Sequence, residues 1–168
     1  MDVLLMSSAL GTKRTIMKNT GKPTEARFEQ SLTALGKQGY FYRIKDAAAI
    51  RGLTGRVGAG VDATPSDYIC AVKGQTFFCE VKSTQHPSLF EFKLLKKGQN
   101  AHGARIVAAG GGYLVLVHRL ETDDWYLLAM SRIRAHEADT GRKSLSWDEM
   151  RAFQCTTEQT PAGSRPRW

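Results

Sequence analysis

Two carboxylates and one ammonium fall within a short stretch of the chain: Asp67, Glu80 and Lys82. Tyr68-Ile69-Cys70-Ala71-Val72 and Gln75-Thr76-Phe77-Phe78-Cys79 lie between them. Both runs are rich in β-branched and aromatic residues, and Lys73-Gly74 separates them as a tight turn. With a two-residue loop, Val72 faces Gln75, and counting outward puts Asp67 opposite Glu80. Facing residues of an antiparallel pair have Cβ atoms about 4.5–5.5 Å apart, where like charges repel. Two facing carboxylates therefore imply a shared proton or a bound cation. Strands alternate faces, so Lys82 projects on the side of Glu80. This grouping suits phosphodiester hydrolysis. Mg²⁺ takes hard oxygen ligands, typically one or two carboxylates plus waters and substrate phosphates. Asp67 and Glu80 supply the carboxylates, the Val81 carbonyl is a third oxygen within reach, and Lys82 can orient the attacking water or stabilise the growing charge. The same spacing also fits a surface hairpin whose acids and Lys82 form ordinary ion pairs.

The elements around this hairpin read as a mixed sheet with helices. Pro23 suits the first turn of a helix, with Thr20 or a neighbour as cap. Phe28, Leu32 and Leu35 form one apolar stripe at helical spacing, ended by Gly36 and Gly39. Glu29 sits at the edge of that stripe and Glu25 one turn earlier; periodicity leaves both as ordinary surface glutamates. Tyr40 to Ile44 reads as a first strand. A helix is expected from about Leu94 to Ala109, stopping at Gly110-Gly111-Gly112, with Lys93, Lys96, Lys97 and Gln99 at its start. Tyr113 to His118 is a nearly continuous apolar run, typical of a strand buried on both faces. Trp125 to Met130 returns after a turn. Ser146 with Glu149 fits a capping box for a short final helix. The expected order is α-β-β-β-α-β-β.

The 168 residues suit one domain. The expected division is an N-terminal arm over 1–20, a single domain over 21–155, and a C-terminal tail over 156–168 that is disordered or packed. Residues 46–64 form a glycine-rich insertion carrying Arg51 and Arg56. No Gly-Lys-Ser/Thr follows its glycines, so a nucleotide P-loop is unsupported. Glycines let backbone approach a ligand closely and arginines pair with phosphates, so a basic DNA-contacting arm fits, as does a plain loop. The net charge is +8 and the isoelectric point about 9.6. Residues 1–61 carry +6 of that charge. Such a bias favours a polyanion, above all nucleic acid. Cys70, Cys79 and Cys155 show no zinc or disulfide spacing and suit a reducing cytoplasm. No stretch approaches the roughly 20 apolar residues a membrane crossing needs. His86, His102, His118 and His136 lack metal-ligand spacing, and His118, closing a core strand, reads as structural.

Pro65-Ser66-Asp67 followed by Glu80-Val81-Lys82 resembles the signature of the PD-(D/E)XK nuclease superfamily. The wider layout resembles the Holliday junction resolvases of the RecU type. It comprises Arg27-Phe28-Glu29 on the first helix, Asp67-Tyr68, the Lys73-Gly74 turn, Phe90 with Phe92, Gln99, and Gly111-Gly112-Tyr113 opening an apolar strand. The resemblance spans roughly residues 21–130. It implies a restriction-endonuclease-like fold and an Mg²⁺-dependent endonuclease, with Mn²⁺ as substitute, cutting four-way DNA junctions as a homodimer. It further implies that Asp67 and Glu80 bind the metal, that Lys82 is the catalytic lysine, that Glu29 approaches the metal, and that Gln99 sits on the helix beside the site. The choice of Glu29 over Glu25 rests on the Phe-Glu match. Arg51, Arg56, Lys97 and Gln99 are the expected DNA contacts, with 46–64 in the place of a junction-binding stalk. Ser66 between Pro65 and Asp67, and the glycine-rich insertion, depart from the family pattern. Two alternatives remain: another nuclease of the superfamily, in restriction, repair or phage DNA processing, or a non-catalytic basic DNA-binding protein.

Overall fold

A computed structural model describes residues 21–45 and 64–168. The expected arm and nearly all of the glycine-rich insertion, with Arg51 and Arg56, lie outside the described residues. The elements in chain order are α1 (Lys22–Thr33), β1 (Gly39–Arg43), β2 (Tyr68–Val72), β3 (Gln75–Thr84), β4 (Leu89–Glu91), α2 (Lys97–Ala108), β5 (Gly112–Arg119), β6 (Asp124–Ala129), α3 (Met130–Thr140), β7 (Ser144–Ser146), α4 (Trp147–Met150), β8 (Thr157–Thr160) and β9 (Gly163–Pro166). Five strands form one sheet in the order β1-β2-β3-β5-β6. All neighbours are antiparallel except β3 and β5, which run parallel. A parallel pair needs a long crossover, and the chain supplies it through β4 and α2.

The sheet alternates strictly, and that alternation builds two cores. Phe77, Cys79 and Val81 of β3, with Tyr68, Cys70, Leu116 and Trp125, pack under Phe28 and Leu32 of α1. Tyr113, Val115 and Val117 of β5, with Tyr126 and Leu128 of β6, pack under Leu95, Met130, Ile133, Trp147 and Met150. β5 is thus covered on both faces, as its apolar run requires. Phe28 and Leu32 are fully buried, and each contributes roughly 1.5–3 kcal/mol by leaving water.

The turn between β2 and β3 has two residues, with Val72 paired to Gln75 as the spacing predicted. Lys73 and Gly74 both take positive φ, 47° and 83°. That is the twist a two-residue hairpin wants, and a glycine at the second position adopts it without strain.

Several expectations shift. The cap of α1 is the neighbour of Thr20, Gly21, with φ 72° and no side-chain cap bond. The helix expected from Leu94 begins at Lys97, because Phe92–Leu94 forms a tight 3₁₀ turn first. The strand expected to run through Met130 ends at Ala129, and α3 follows without a polar cap. Its stop is readable: Gly141 takes the left-handed conformation after the last turn. Ser146 and Glu149 form the expected capping box, with Glu149 Oε2 accepting from the Ser146 N–H at 2.8 Å. The C-terminal tail is a β8–β9 hairpin packed on α1, with the Trp168 ring against Phe28 and Phe77.

Candidate active site

Asp67 and Glu80 meet where β2 begins. Tyr68 is paired with Cys79, so the next step outward sets Asp67 beside Glu80. Because β2 stops at Tyr68, the Val81 N–H has no strand partner on that side. The Asp67 carboxylate takes it, with Oδ2 accepting at 3.0 Å. The Asp67 carbonyl in turn accepts from the Ile44 N–H at 2.9 Å.

Glu80 projects from the opposite face of the sheet to α1, the same face as Phe78 and Lys82. Its side chain is 0% exposed. Lys82 Nζ reaches Glu80 Oε1 at 2.5 Å, and the Gln99 side-chain amide donates to the same oxygen. The other oxygen, Oε2, is buried with no hydrogen-bond partner. Burial and the Asp67 charge push the Glu80 carboxyl up to about 8, against the pull of Lys82. Neither carboxylate, when ionised, has a hydrogen to offer the other. A proton or a cation must stand between them for both to be satisfied.

Gln99 is nearly buried, and both ends of its amide are committed inside the protein. Oε1 accepts from the Lys96 N–H at 2.9 Å at the start of α2, while the NH₂ group serves Glu80. Gln99, expected as a DNA contact and as a residue beside the site, thus lies at the site with its amide on Glu80. Lys97, in the first turn of α2, is exposed.

Glu29 is not brought to the pair. Its Oε1 accepts from the Tyr68 hydroxyl at 2.7 Å and from Arg43 at 3.3 Å, while Arg43 also pairs with Glu25. Tyr68 belongs to the core under α1, so Glu29 lies on the other face of the sheet from Glu80. Among the described residues, no three His, Cys, Asp or Glu side chains form a metal-holding group. The Phe-Glu match identified a position on the correct helix. It carried no information about which face the strand tyrosine would tie that carboxylate to.

Two further groups escaped the sequence. Tyr113 donates its hydroxyl to the Pro65 carbonyl at 2.9 Å, and the buried Ser66 hydroxyl donates to the Tyr68 carbonyl at 2.7 Å. Period-2 alternation put Tyr113 on the face of Val115, but only the sheet order brings it to Pro65. The second group is at the far end of β5. His118, fully buried, stacks on Trp125 with ring centroids 4.1 Å apart. Its Nε2 faces Asp123 Oδ1 at 2.7 Å, and its Nδ1 faces Thr24 Oγ1 at 3.0 Å. An ionised carboxylate only accepts, so Nε2 carries the hydrogen and the Thr24 hydroxyl donates to Nδ1. Burial lowers the His118 pKa, which fits this neutral form. Asp123 also receives Arg27 and the Ser164 N–H, and its carboxyl is held down at about 2. The structural role expected of His118 thus takes the form of a clamp joining α1, the β5–β6 turn and the terminal hairpin.

The site is an acidic pair with a lysine and a buried free carboxylate oxygen, on a five-stranded mixed sheet. The family model for recombination protein U matches residues 59–162, more than half of the chain and the whole of this hairpin. The chain belongs to the recombination protein U family. Members of the recombination protein U family are Holliday junction resolvases, endonucleases that act on DNA. The matched segment begins after α1 and so excludes Glu29, while it includes Asp67, Glu80, Lys82, Gln99 and Tyr113. The structure is also similar to that of Hjc, a Holliday junction resolvase from the archaeal hyperthermophile Archaeoglobus fulgidus. That likeness covers 76% of this chain and 93% of that one at 16% identity, with a TM-score of 0.47. No curated protein sequence matches the chain. No helix among the described residues is long and apolar enough to cross a membrane.

Proposed function

We propose that this chain cleaves four-way DNA junctions as a homodimer, using a divalent cation, Mg²⁺ or Mn²⁺, held between Asp67 and Glu80. One observation carries the metal reading: Glu80 Oε2 is buried, unpartnered and beside a second carboxylate. A fold keeps such an oxygen only if something compensates it, since an uncompensated buried charge is costly. The donors are hard oxygens, which suits Mg²⁺. Asp67 and Glu80 would hold the ion, with the Val81 carbonyl as a further oxygen on the same strand. Such an ion would supply charge neutralisation at the attacked phosphate and a lowered pKa for the attacking water.

The chain's own residues do the rest. Val81 N–H and Ile44 N–H fix Asp67 from the side chain and the backbone. Gln99 fixes Glu80 from α2. Lys82 is 16% exposed, with its ammonium on Glu80. From there that ammonium would reach a phosphate oxygen or hold the attacking water in line. The exposed Lys97, with Arg51 and Arg56 in the preceding insertion, is the proposed phosphate-binding set. A junction has two symmetry-related strands to cut, which a twofold dimer matches.

The deciding experiment incubates the protein with Mg²⁺ and either a synthetic four-way junction or a linear duplex of equal length. Nicking of the junction, lost in Asp67→Asn and Lys82→Ala, supports the reading. Equal cleavage of both substrates refutes the junction preference, and unimpaired variants refute the site. Replacing Arg51 and Arg56 together by Ala should weaken junction binding and lower its salt dependence by about two counterions.

A further inference from the structure

Asp67 sits outside regular structure. β2 begins only at Tyr68, so the segment Pro65-Ser66-Asp67 must be held by individual bonds. Ile44 N–H holds the Asp67 carbonyl, and the Ser66 hydroxyl closes a local turn on Tyr68. The third bond differs in reach. Tyr113 belongs to β5, Pro65 precedes β2, and β3 lies between those strands. The side chain therefore crosses over β3 on the face from which Glu80 projects. Tyr113 is 1% exposed, and its ring stacks on Phe78 with centroids 6.5 Å apart and planes 16° from parallel. Its hydroxyl ends at the Pro65 carbonyl, 2.9 Å away. Burial raises the pKa of that hydroxyl, and the charges of Glu80 and Asp67 add to the rise, so the hydroxyl stays a hydrogen-bond donor to Pro65.

The mechanical consequence follows from the charges. Once Glu80 ionises, which its raised carboxyl delays to about 8, the two carboxylates repel, and the one outside regular structure yields first. Asp67 is that one. A tyrosine anchored in the doubly covered β5 and bonded two residues before Asp67 resists the displacement.

We infer that Tyr113 is a positioning residue for the metal site: by holding the Pro65 carbonyl, it sets the separation of Asp67 from Glu80 and pre-organises the pair for a divalent cation. This rests on the reading of the pair as a metal site. Outer partners that orient metal ligands typically govern affinity by roughly 10–100-fold. Phe at position 113 keeps the ring, the stacking and the burial, and removes only the donor.

The test is calorimetric titration of Mn²⁺ into the full chain without DNA. Tyr113→Phe should bind about tenfold more weakly than the wild type. Tyr126→Phe is the control, since it also removes a buried hydroxyl on this face of the sheet but one remote from Pro65; its affinity should match the wild type within about twofold. Equal affinity in wild type and Tyr113→Phe, or an equal loss in both variants, overturns the inference. If Tyr113→Phe does not fold, 3-fluorotyrosine at position 113 replaces it. Its ¹⁹F resonance should shift with Mg²⁺ over the range in which the ion binds, and an unmoved resonance overturns the inference. A wild-type protein that binds no divalent cation defeats the metal reading itself, which separates the two failures.

Discussion

Gln99 and Lys82 converge on one oxygen of Glu80, Oε1, and leave the other without a partner. The amide of Gln99 cannot swing away, because its own oxygen is held by the Lys96 N–H. Glu80 is thereby presented with one oxygen anchored and one free, the arrangement a ligand to a small cation requires.

Removing that anchor should weaken metal binding without weakening DNA binding. Gln99→Leu is expected to lower Mg²⁺ affinity roughly 10-fold, as loss of an outer partner commonly does. Junction binding in Ca²⁺ or in chelator, measured by fluorescence anisotropy, should stay within about twofold. A large loss of junction affinity with intact metal affinity would restore Gln99 as a DNA contact.

The raised carboxyl of Glu80 makes a pH prediction. A group whose pKa is higher folded than unfolded adds stability that is full below the unfolded value and lost as pH rises through the folded one. For Glu80 those values are 4.5 and about 8. Without metal, the wild type should lose stability relative to Glu80→Gln between pH 5 and pH 8.5, by about 2–4 kcal/mol. Mg²⁺ should restore it at the upper end, where it replaces the proton. Urea denaturation in chelator at the two pH values reads the difference. Parallel pH profiles for the two proteins would contradict the assignment.

Glu29 and Asp67 should separate cleanly. Glu29 is tied to Tyr68 and Arg43 on the α1 face. Glu29→Gln is expected to keep metal affinity within about threefold, whereas Asp67→Asn should lower it by at least about 100-fold, since of the two only Asp67 lies beside Glu80. Isothermal titration decides; equal losses would place Glu29 at the metal after all.

The terminal hairpin is held at one crowded point. Gly163 has φ 110°, and a Cβ there would come within 2.5 Å of Arg27 Nη1. Arg27 is the partner of Asp123 at 2.7 Å, so the intrusion also strains the His118 clamp. Gly163→Ala should cost about 2 kcal/mol, from the backbone conformation and the displaced guanidinium. The midpoint of urea unfolding should fall accordingly, while junction cleavage well below that midpoint stays unchanged. A midpoint equal to the wild type would show that the hairpin yields freely.

Some of this was legible along the chain. Val72 and Gln75 flank a Lys-Gly turn, and a two-residue loop there sets Asp67 against Glu80; the structure shows that loop length. The apolar run from Tyr113 likewise announced a strand covered on both sides, and Ser146 with Glu149 announced a helix start. These are local effects: turn geometry, two-residue alternation and backbone capping act between residues a few positions apart. The company each side chain keeps was set by packing across the sheet. Met130 to Thr140 lacks a polar cap and became a helix because its Met130 and Ile133 cover β5 and β6. Glu29 and Gln99 both looked equipped for the site. Packing sent Glu29 to Tyr68 on one face of the sheet, and Gln99 to Glu80 on the other. No periodicity encodes that choice, because it depends on which side of the sheet each helix crosses. The hairpin fixed the two acids; the fold decided which neighbours hold them there.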